Sequence, residues 1–294
     1  MFKSVVWLFT FLFAYQCAVA QQKLVVVCAN TGLPIPFASA ECFEKKWGTY
    51  ADSLGVVLVP DSMYKFYAIQ ISHVGFKTTT ILQFKEDSVF LIPLLAKMED
   101  VLLTACINAT YATLGYKKRK PTYYFGYSNN IDNYMWAVFL PNVTNKPAIA
   151  SQISFGIKQF YKNDDPNIPI AIRLYQFNQT TGMPGDEITY EPIIITPEKF
   201  GWQTFDISSY QLMIPENGAV VSFSFTYISS SKGYQLKFKN GSQVVEKYGY
   251  SLYGMLDTVV VGFTQRLGFR WTKFKEYNIN NGGPMAALKV KVCN

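Results

Sequence analysis

The sequence predicts an all-β protein folded as two antiparallel β-sandwich domains, and three observations carry that prediction. Apolar and polar residues alternate with a period of two in segment after segment, the pattern of half-buried strands. No segment of ten or more residues holds a clean helical stripe. Clusters of Gly, Pro, Asn and Asp interrupt the alternation at short intervals, where strands must turn.

The N-terminus reads as a secretory signal over residues 1–20. Lys3 supplies a positive start, and Val5 to Tyr15 is apolar apart from Thr10. That run is about half the length that spans a bilayer. Ala18-Val-Ala20 is a small-x-small cleavage site, which makes Gln21 the expected mature terminus. A lipid-attachment motif at Cys17 would need a branched apolar residue three positions earlier and a small residue just before it, where Ala14 and Gln16 stand. No later segment is long and apolar enough to span a membrane.

Of the 294 residues, removal of 20 leaves 274, enough for two domains of ordinary size. Aromatic residues make up 16%, with 23 Phe and 20 Tyr, which supplies apolar area for two cores. Charged residues also make up 16%, too few for a disordered chain. The formal net charge of +7 suits acidic glycans, anionic lipid headgroups or nucleic acid, the last ranking lowest for an exported chain. Four cysteines follow the signal: Cys28, Cys42, Cys106 and Cys293. They allow three full pairings, and sequence does not choose among them. Cys28 and Cys42 fall on the apolar phase of the first two strands, where a small buried residue fits as well as a disulfide. Asn-x-Ser/Thr sequons begin at Asn108, Asn142, Asn178 and Asn240.

The first domain is expected over 22–105. Lys23 to Val27 is a short strand, broken by Gly32-Leu-Pro-Ile-Pro. Ala38, Ala40 and Cys42 alternate with Ser39 and Glu41 as the next strand. Asp52-Ser-Leu-Gly55 is a turn, with Val56 to Val59 following. Tyr67, Ile69 and Ile71 alternate with Ala68, Gln70 and Ser72. Val74-Gly75-Phe76 turns the chain, Thr78 to Leu82 continues it, and Phe90, Ile92 and Leu94 close the domain.

Three stretches in this order, Gly32-Leu-Pro-Ile-Pro-Phe-Ala38, Asp52-Ser-Leu-Gly55 and Ile69-Gln-Ile-Ser-His-Val-Gly-Phe-Lys-Thr78, resemble the carboxypeptidase regulatory-like domain. The resemblance implies a transthyretin/Ig-like sandwich of the kind found at the N-termini of exported bacterial proteins, serving as an accessory and not a catalyst. The usual Thr-Asp before the second turn is Ala51-Asp52 here. In true metallocarboxypeptidases the zinc is held by two His and a Glu. This chain has one histidine, His73, which cannot build such a site and falls at a turn. The implied destination is the periplasm or cell surface of a bacterium with an outer membrane.

A linker is expected over 106–121, ending in the basic run Lys117, Lys118, Arg119 and Lys120 before Pro121. Such a run is a solvated charge cluster or a docking patch for an anionic partner.

The second domain is expected over 122–294. Ile153, Phe155 and Ile157 alternate with Ser154, Gly156 and Lys158. Ile170, Ile172 and Leu174 alternate with Ala171, Arg173 and Tyr175. Val221, Phe223, Phe225 and Tyr227 alternate with Ser222, Ser224 and Thr226, and Leu288, Val290 and Val292 with Lys289 and Lys291. Each is expected to have one apolar and one wet face. Turns are expected at Asp164-Asp-Pro-Asn167, Thr181-Gly-Met-Pro-Gly-Asp186, Asn240-Gly241 and Asn281-Gly-Gly-Pro284. Ile172-Arg-Leu-Tyr175, Gly201-Trp-Gln-Thr-Phe-Asp-Ile207 and the Val220 to Tyr227 strand resemble the jelly-roll-like sandwich domains of secreted bacterial proteins, which often bind carbohydrate or mediate assembly.

No catalytic constellation stands out. Asp132, Asp164, Asp165, Asp186, Glu187 and Asp206 lie in turn-forming contexts, and no Gly-x-Ser-x-Gly elbow surrounds a serine. Asp164, Asp165 and Asn167 are the first oxygen ligands to consider for calcium, though turns use the same residues. No cofactor is implied. The best binding candidates are Tyr123, Tyr124, Tyr127, Tyr134 and Trp136, since exposed rings stack on sugars or anchor protein interfaces, and at most about half of a strand's rings face out. The expectation is a non-enzymatic structural or interaction protein of the envelope, an accessory to an outer-membrane or surface assembly. The alternative is carbohydrate binding by aromatic residues of the second domain. An exposed row of Tyr or Trp favours the glycan, and a contiguous apolar patch without one favours protein docking.

Overall fold

A computed structural model describes residues 21–65, 67–82, 87–94, 109–116, 120–125, 134–159, 166–224, 234–239, 242–247, 250–256, 260–274 and 281–293. The expected signal at 1–20 and Cys106 lie outside the described residues. The chain is almost entirely β and divides into two compact units, Met1–Leu94 and Leu95–Asn294.

The first unit holds strands β1 (Gln21–Cys28), β2 (Ser39–Cys42), β3 (Trp47–Tyr50), β4 (Val56–Pro60), β5 (Ile69–Ser72), β6 (Thr79–Ile81) and β7 (Ser88–Leu91), with a one-turn helix at Asp61–Tyr64. They form two sheets, β4-β1-β7 and β3-β2-β5-β6. Leu24, Val26 and Cys28 of β1 and Val57 and Val59 of β4 pack with Ala40, Cys42, Ile69 and Ile71 of the other sheet in one buried cluster, which makes a sandwich. The turns follow the residues that mark them. Gly32, Gly55 and Gly75 all have positive φ, where glycine is least strained. Asp52 Oδ1 accepts the backbone N–H groups of Leu54 (2.8 Å) and Val56 (2.9 Å). His73 sits half-buried at its turn, Nδ1 2.8 Å from the Val74 carbonyl oxygen, its ring edge-on to Phe76.

Two expectations for this unit are corrected. The sandwich is not wholly antiparallel, because β7 joins β1 in parallel, Val25 opposite Ser88 through Cys28 opposite Leu91. The chain reaches β7 from the other sheet and so arrives in the direction of β1. Phe90, Ile92 and Leu94 do not close the core: they are 52%, 56% and 56% exposed, while Val89 and Leu91 point inward. Val89 to Ile92 is apolar on both phases, so alternation alone leaves the phase undecided. Cys28 and Cys42 are buried free thiols, and since every full pairing of the four cysteines uses Cys28, none of the three forms.

The second unit begins with β8 (Ala109–Gly115), β9 (Tyr123–Phe125), β10 (Tyr134–Leu140), β11 (Ala148–Lys158), β12 (Ile170–Asn178), β13 (Met183–Glu187), β14 (Ile193–Ile195), β15 (Gly201–Asp206) and β16 (Met213–Ile214). It continues with β17 (Ala219–Ser224), β18 (Tyr234–Lys239), β19 (Ser242–Lys247), β20 (Ser251–Leu256), β21 (Gly262–Arg266), β22 (Thr272–Lys273), β23 (Gly282–Pro284) and β24 (Ala286–Cys293). One sheet runs β13-β12-β17-β10-β21-β22, with β14 on β12. The other runs β23-β20-β11-β24-β8, with β15 and β16 on β11 and β9 on β20; β18 and β19 pair separately. Val138, Ile172, Leu174, Val221 and Phe223 of the first sheet share a core with Ile153, Phe155, Ile157, Leu252 and Leu288 of the second. Phe155 packs on Phe223 across the sandwich, ring centroids 5.3 Å apart.

Three local expectations are corrected here. Ala109–Gly115, expected within the linker, is strand β8, paired along its length with β24 from Ala287 opposite Gly115 to Cys293 opposite Ala109. Leu114 is its core anchor, fully buried. Within Asn281-Gly-Gly-Pro284, expected as a turn, Gly282–Pro284 is strand β23, where a Cβ on Gly283 would lie 3.2 Å from Gly262 Cα and from the Val138 side chain. Ala171, Arg173, Tyr175, Ser222 and Ser224 were expected on wet faces and are buried. Register explains the last point. Arg173, Ser222, Ala137 and Phe263 lie in one row across β12, β17, β10 and β21, and Tyr175, Val220 and Phe139 in the next row but one. Ala137, Tyr175, Val220 and Phe263 form a second apolar cluster on this side, with Phe177 and Trp271 against it. Arg173 is tolerated there because Nη1 pairs with Glu187 Oε1 at 2.7 Å, an oxygen that also accepts the Thr189 hydroxyl at 2.7 Å. The Asn142 sequon likewise serves structure: the buried amide donates to the carbonyls of Lys146 (2.8 Å) and Pro215 (2.9 Å).

Tyr250 is buried, donates its hydroxyl to the Ile168 carbonyl at 3.0 Å, and burial pushes its phenol well above the ordinary range. Below about pH 10 both folded and unfolded forms carry a neutral phenol, so its contribution to stability is fully present. Above that pH the unfolded chain ionises first, and stability falls by about 1.4 kcal/mol per pH unit on this account. Chemical denaturation of the second unit between neutral and alkaline pH is expected to show this decline, and Tyr250→Phe is expected to lessen its slope.

Candidate interaction surfaces

The structure separates the aromatic residues singled out in the sequence. In β9, Phe125 turns into the core, Tyr123 is exposed and meets Phe125 edge-on with ring centroids 5.2 Å apart, and Tyr124 faces the opposite side, half-buried. Tyr134 and Trp136 lie on β10, in the other sheet, stacked with centroids 6.4 Å apart. Trp136 packs against the main core, and the Arg266 guanidinium stands 5.9 Å from the Tyr134 ring. These four residues therefore do not form one patch. Lys120 is exposed, while Lys117, Lys118, Arg119 and Tyr127 lie outside the described residues.

What the register does assemble is a row across the outer face of the eight-stranded sheet. Tyr124 of β9 is opposite Tyr253 of β20. Leu252 opposite Ile157 places Tyr253 beside Gly156 of β11, and Gly156 is opposite Trp202 of β15. Tyr124, Tyr253, Gly156 and Trp202 thus follow one another over four adjacent strands, about 14 Å at ordinary strand spacing. Gly156 is what lets the row close up, since a Cβ there would run into the Tyr253 ring. Tyr124 meets Tyr253 edge-on at 5.9 Å, and Lys158 Nζ lies 4.3 Å from the centre of the Tyr124 ring. Two residues along β11, the hydroxyls of Ser154 and Thr204 are 2.8 Å apart on the same face. Further out on that face, Lys289 Nζ stands 5.1 Å over the ring of Tyr111, itself 60% exposed.

A different surface lies on the first unit. The outward side of the β4-β1-β7 sheet presents Leu58 (53% exposed) and Val56 from β4, Val25 from β1, then Phe90 and Ile92 at β7, with Val27 of β1 buried between them. Register makes these residues neighbours: Val25 is opposite Val56, and Val27 is opposite Phe90. Lys23 and Ser88 edge the stripe, and it holds no Tyr or Trp.

Two of the carboxylates considered for chemistry, Glu187 and Asp206, have structural partners. Glu187 holds Arg173, and Asp206 Oδ1 accepts the Ser208 backbone N–H at 2.8 Å, a bond that keeps its carboxyl below the ordinary range. Asp132, Asp164 and Asp165 lie outside the described residues, and Asn167 is exposed. Among the described residues no group of three or more His, Cys, Asp or Glu side chains is placed to hold a metal ion. Nor is any helix among them long and apolar enough to cross a membrane. No protein-family model matches the chain, and no curated protein matches it.

Tyr253, Trp202 and Lys158, and on the other unit Leu58 and Phe90, are the functional candidates that sequence reasoning missed. Gly156 and Lys158 were visible as the wet phase of their strand. Which aromatic residues flank Gly156 depends on pairings between strands about 50 and 100 residues away, and alternation does not encode them.

Gly156→Ala is expected to displace the Tyr253 ring and lower the stability of the second unit by about 1–3 kcal/mol, as overpacking does. Thermal or denaturant melts of the variant measure the loss, and Tyr fluorescence or aromatic NMR shifts report the ring.

Proposed function

We propose that this chain is a non-enzymatic, exported interaction protein that docks on a protein of the bacterial envelope through the outer face of its first unit. The observation that carries the reading is the group Leu58, Val56, Val25, Phe90 and Ile92 on one sheet face, with Leu58, Phe90 and Ile92 each more than half exposed. Large apolar side chains grouped in this way mark interaction sites more often than scattered ones do. Phe90 supplies the aromatic anchor such interfaces favour. The resemblance of this unit to the carboxypeptidase regulatory-like module, an accessory in its own family, supports the same role. The signal-like N-terminus supports export.

A second reading, carbohydrate binding, is favoured by the register that sets Tyr124, Tyr253 and Trp202 in one row on the second unit. The two surfaces lie on different units, and each reading stands on its own surface.

Leu58→Ser, Phe90→Ser and Ile92→Ser combined are expected to leave the melting behaviour of the purified chain close to wild type, because all three side chains are more than half exposed. In a cross-linked pull-down from native envelopes read by mass spectrometry, the triple variant is expected to lose a stoichiometric partner that the wild-type chain retains. Retention of the same partner by the variant contradicts the docking reading.

A further inference from the structure

We infer that strand β8 is a self-association edge, pairing antiparallel with β8 of a second copy of this chain across a two-fold axis at Ala112, so that two second units share one continuous sheet. The seam is separate from both surfaces described above.

The edge comes first. β8 pairs with β24 over all seven of its residues, and among the described residues no strand takes its other side. In such a strand every second residue turns its N–H and C=O away from the sheet. Open edges invite another strand, and proteins blunt them by shortness, charge, proline or bulges. The other described edges of the two sandwiches follow that rule. β3, β6, β7, β9, β14, β16, β22 and β23 have four residues or fewer. β4 ends in Pro60, β15 ends in Asp206, and β13 carries Pro184, Asp186 and Glu187 with a shifted register against β12. β8, Ala-Thr-Tyr-Ala-Thr-Leu-Gly, is the longest of these edges and has no charge, no proline and an unbroken register.

Symmetry and charge then select the occupant. An axis at Ala112 sets Tyr111 opposite Thr113 of the second copy and Thr110 opposite Leu114 of the second copy, outward phase on outward and inward on inward. An aromatic residue opposite a β-branched one is a favourable cross-strand pair, and the axis forms it twice. Ala112 meets itself, which leaves no bulk on the axis. The Tyr111 ring is held on the β24 side, Lys289 Nζ lying 5.1 Å from its centre. Like-charge repulsion works against most self-contacts of a chain with formal net charge +7. This seam escapes it. Lys289 and Lys291 lie one strand in, on β24, and across the axis the two β24 strands are three strand spacings apart, about 14 Å. The Debye length at physiological salt is about 8 Å. A different protein would have to bring a matching uncharged strand, whereas a second copy brings it by symmetry.

The test is sedimentation velocity of the purified chain. A seam of this size is small, so a monomer–dimer equilibrium is expected over about 1–100 µM. Tyr111→Lys with Thr113→Lys sets like charges in both opposed pairs and is expected to keep the chain monomeric at about 100 µM. Tyr111→Glu with Thr113→Glu is expected to do the same. Both positions are exposed, so both double variants are expected to melt close to the wild-type temperature. Mixing the two variants is expected to restore a dimer holding one chain of each, because every Lys then faces a Glu, and added salt is expected to weaken it. A wild-type chain that stays monomeric across this range overturns the inference. So does a dimer that survives either double variant, since its contact lies elsewhere. Loss of the dimer without rescue on mixing overturns the antiparallel register at Ala112, and the inference with it.

Discussion

Strand β11 is the constraint on which the second unit depends. Along one edge it pairs with β15 and β16, and along the other with β24 and β20, so one eleven-residue strand orders much of its sheet. Its inward phase, Ile153, Phe155 and Ile157, is fully buried, and each such side chain contributes roughly 1.5–3 kcal/mol of burial energy. Phe155 ties the sheets together through Phe205 beside it and Phe223 opposite. The outward phase, Ser154, Gly156 and Lys158, is then fixed without further cost, because a one-residue slip would turn the core residues to solvent. A bulge between Ala150 and Gln152 sets where the phase holds, with the Ser151 hydroxyl bonded to the Lys289 carbonyl. The aromatic row is a by-product of this arrangement: Tyr253 and Trp202 meet at Gly156 because β11 holds their strands in register.

The same logic, with a different outcome, governs the first unit. Leu24, Val26 and Cys28 fix the inward phase of β1, and the outward phase is apolar as well, with Val25 and Val27. A strand apolar on both faces ordinarily lies between two layers. Here Val27 is buried, but Leu58, Phe90 and Ile92 on the same face are more than half exposed. The other sheet of this unit does not behave so: its outward positions are Ser39, Glu41, Gln70 and Ser72, as a solvated sheet should be. The contrast within one small unit is what the proposed docking face rests on.

Fold class was legible in the sequence because it depends only on local alternation and turn residues. Strands such as β11 and β5 appear where their alternation places them, and Gly32, Gly55 and Gly75 turn the chain where expected. Errors arose where local pattern underdetermines tertiary placement. Val89 to Ile92 carries no alternation, so its phase was inverted. Arg173 and Ser222 look solvent-facing, yet a second cluster around Phe263 and Trp271 packs on their side of the sheet. Ala109–Gly115 reads as linker beside a basic run, yet Leu114 gives it a place in the core. Of the candidate site, Tyr124 was found because an aromatic run draws attention to itself. Its neighbours were not, because adjacency across strands is a property of register.

The account holds that strand phase decides which residues of β7 and of β11 are buried and which are offered. Hydroxyl-radical footprinting of the purified chain, read residue by residue by mass spectrometry, tests this directly in both units. The account predicts ready oxidation of Leu58, Phe90 and Ile92, and protection of Val89, Leu91 and Phe155 until the chain unfolds. Protection of Phe90 and Ile92 with reaction at Val89 and Leu91 would contradict it, and with it the proposed docking face.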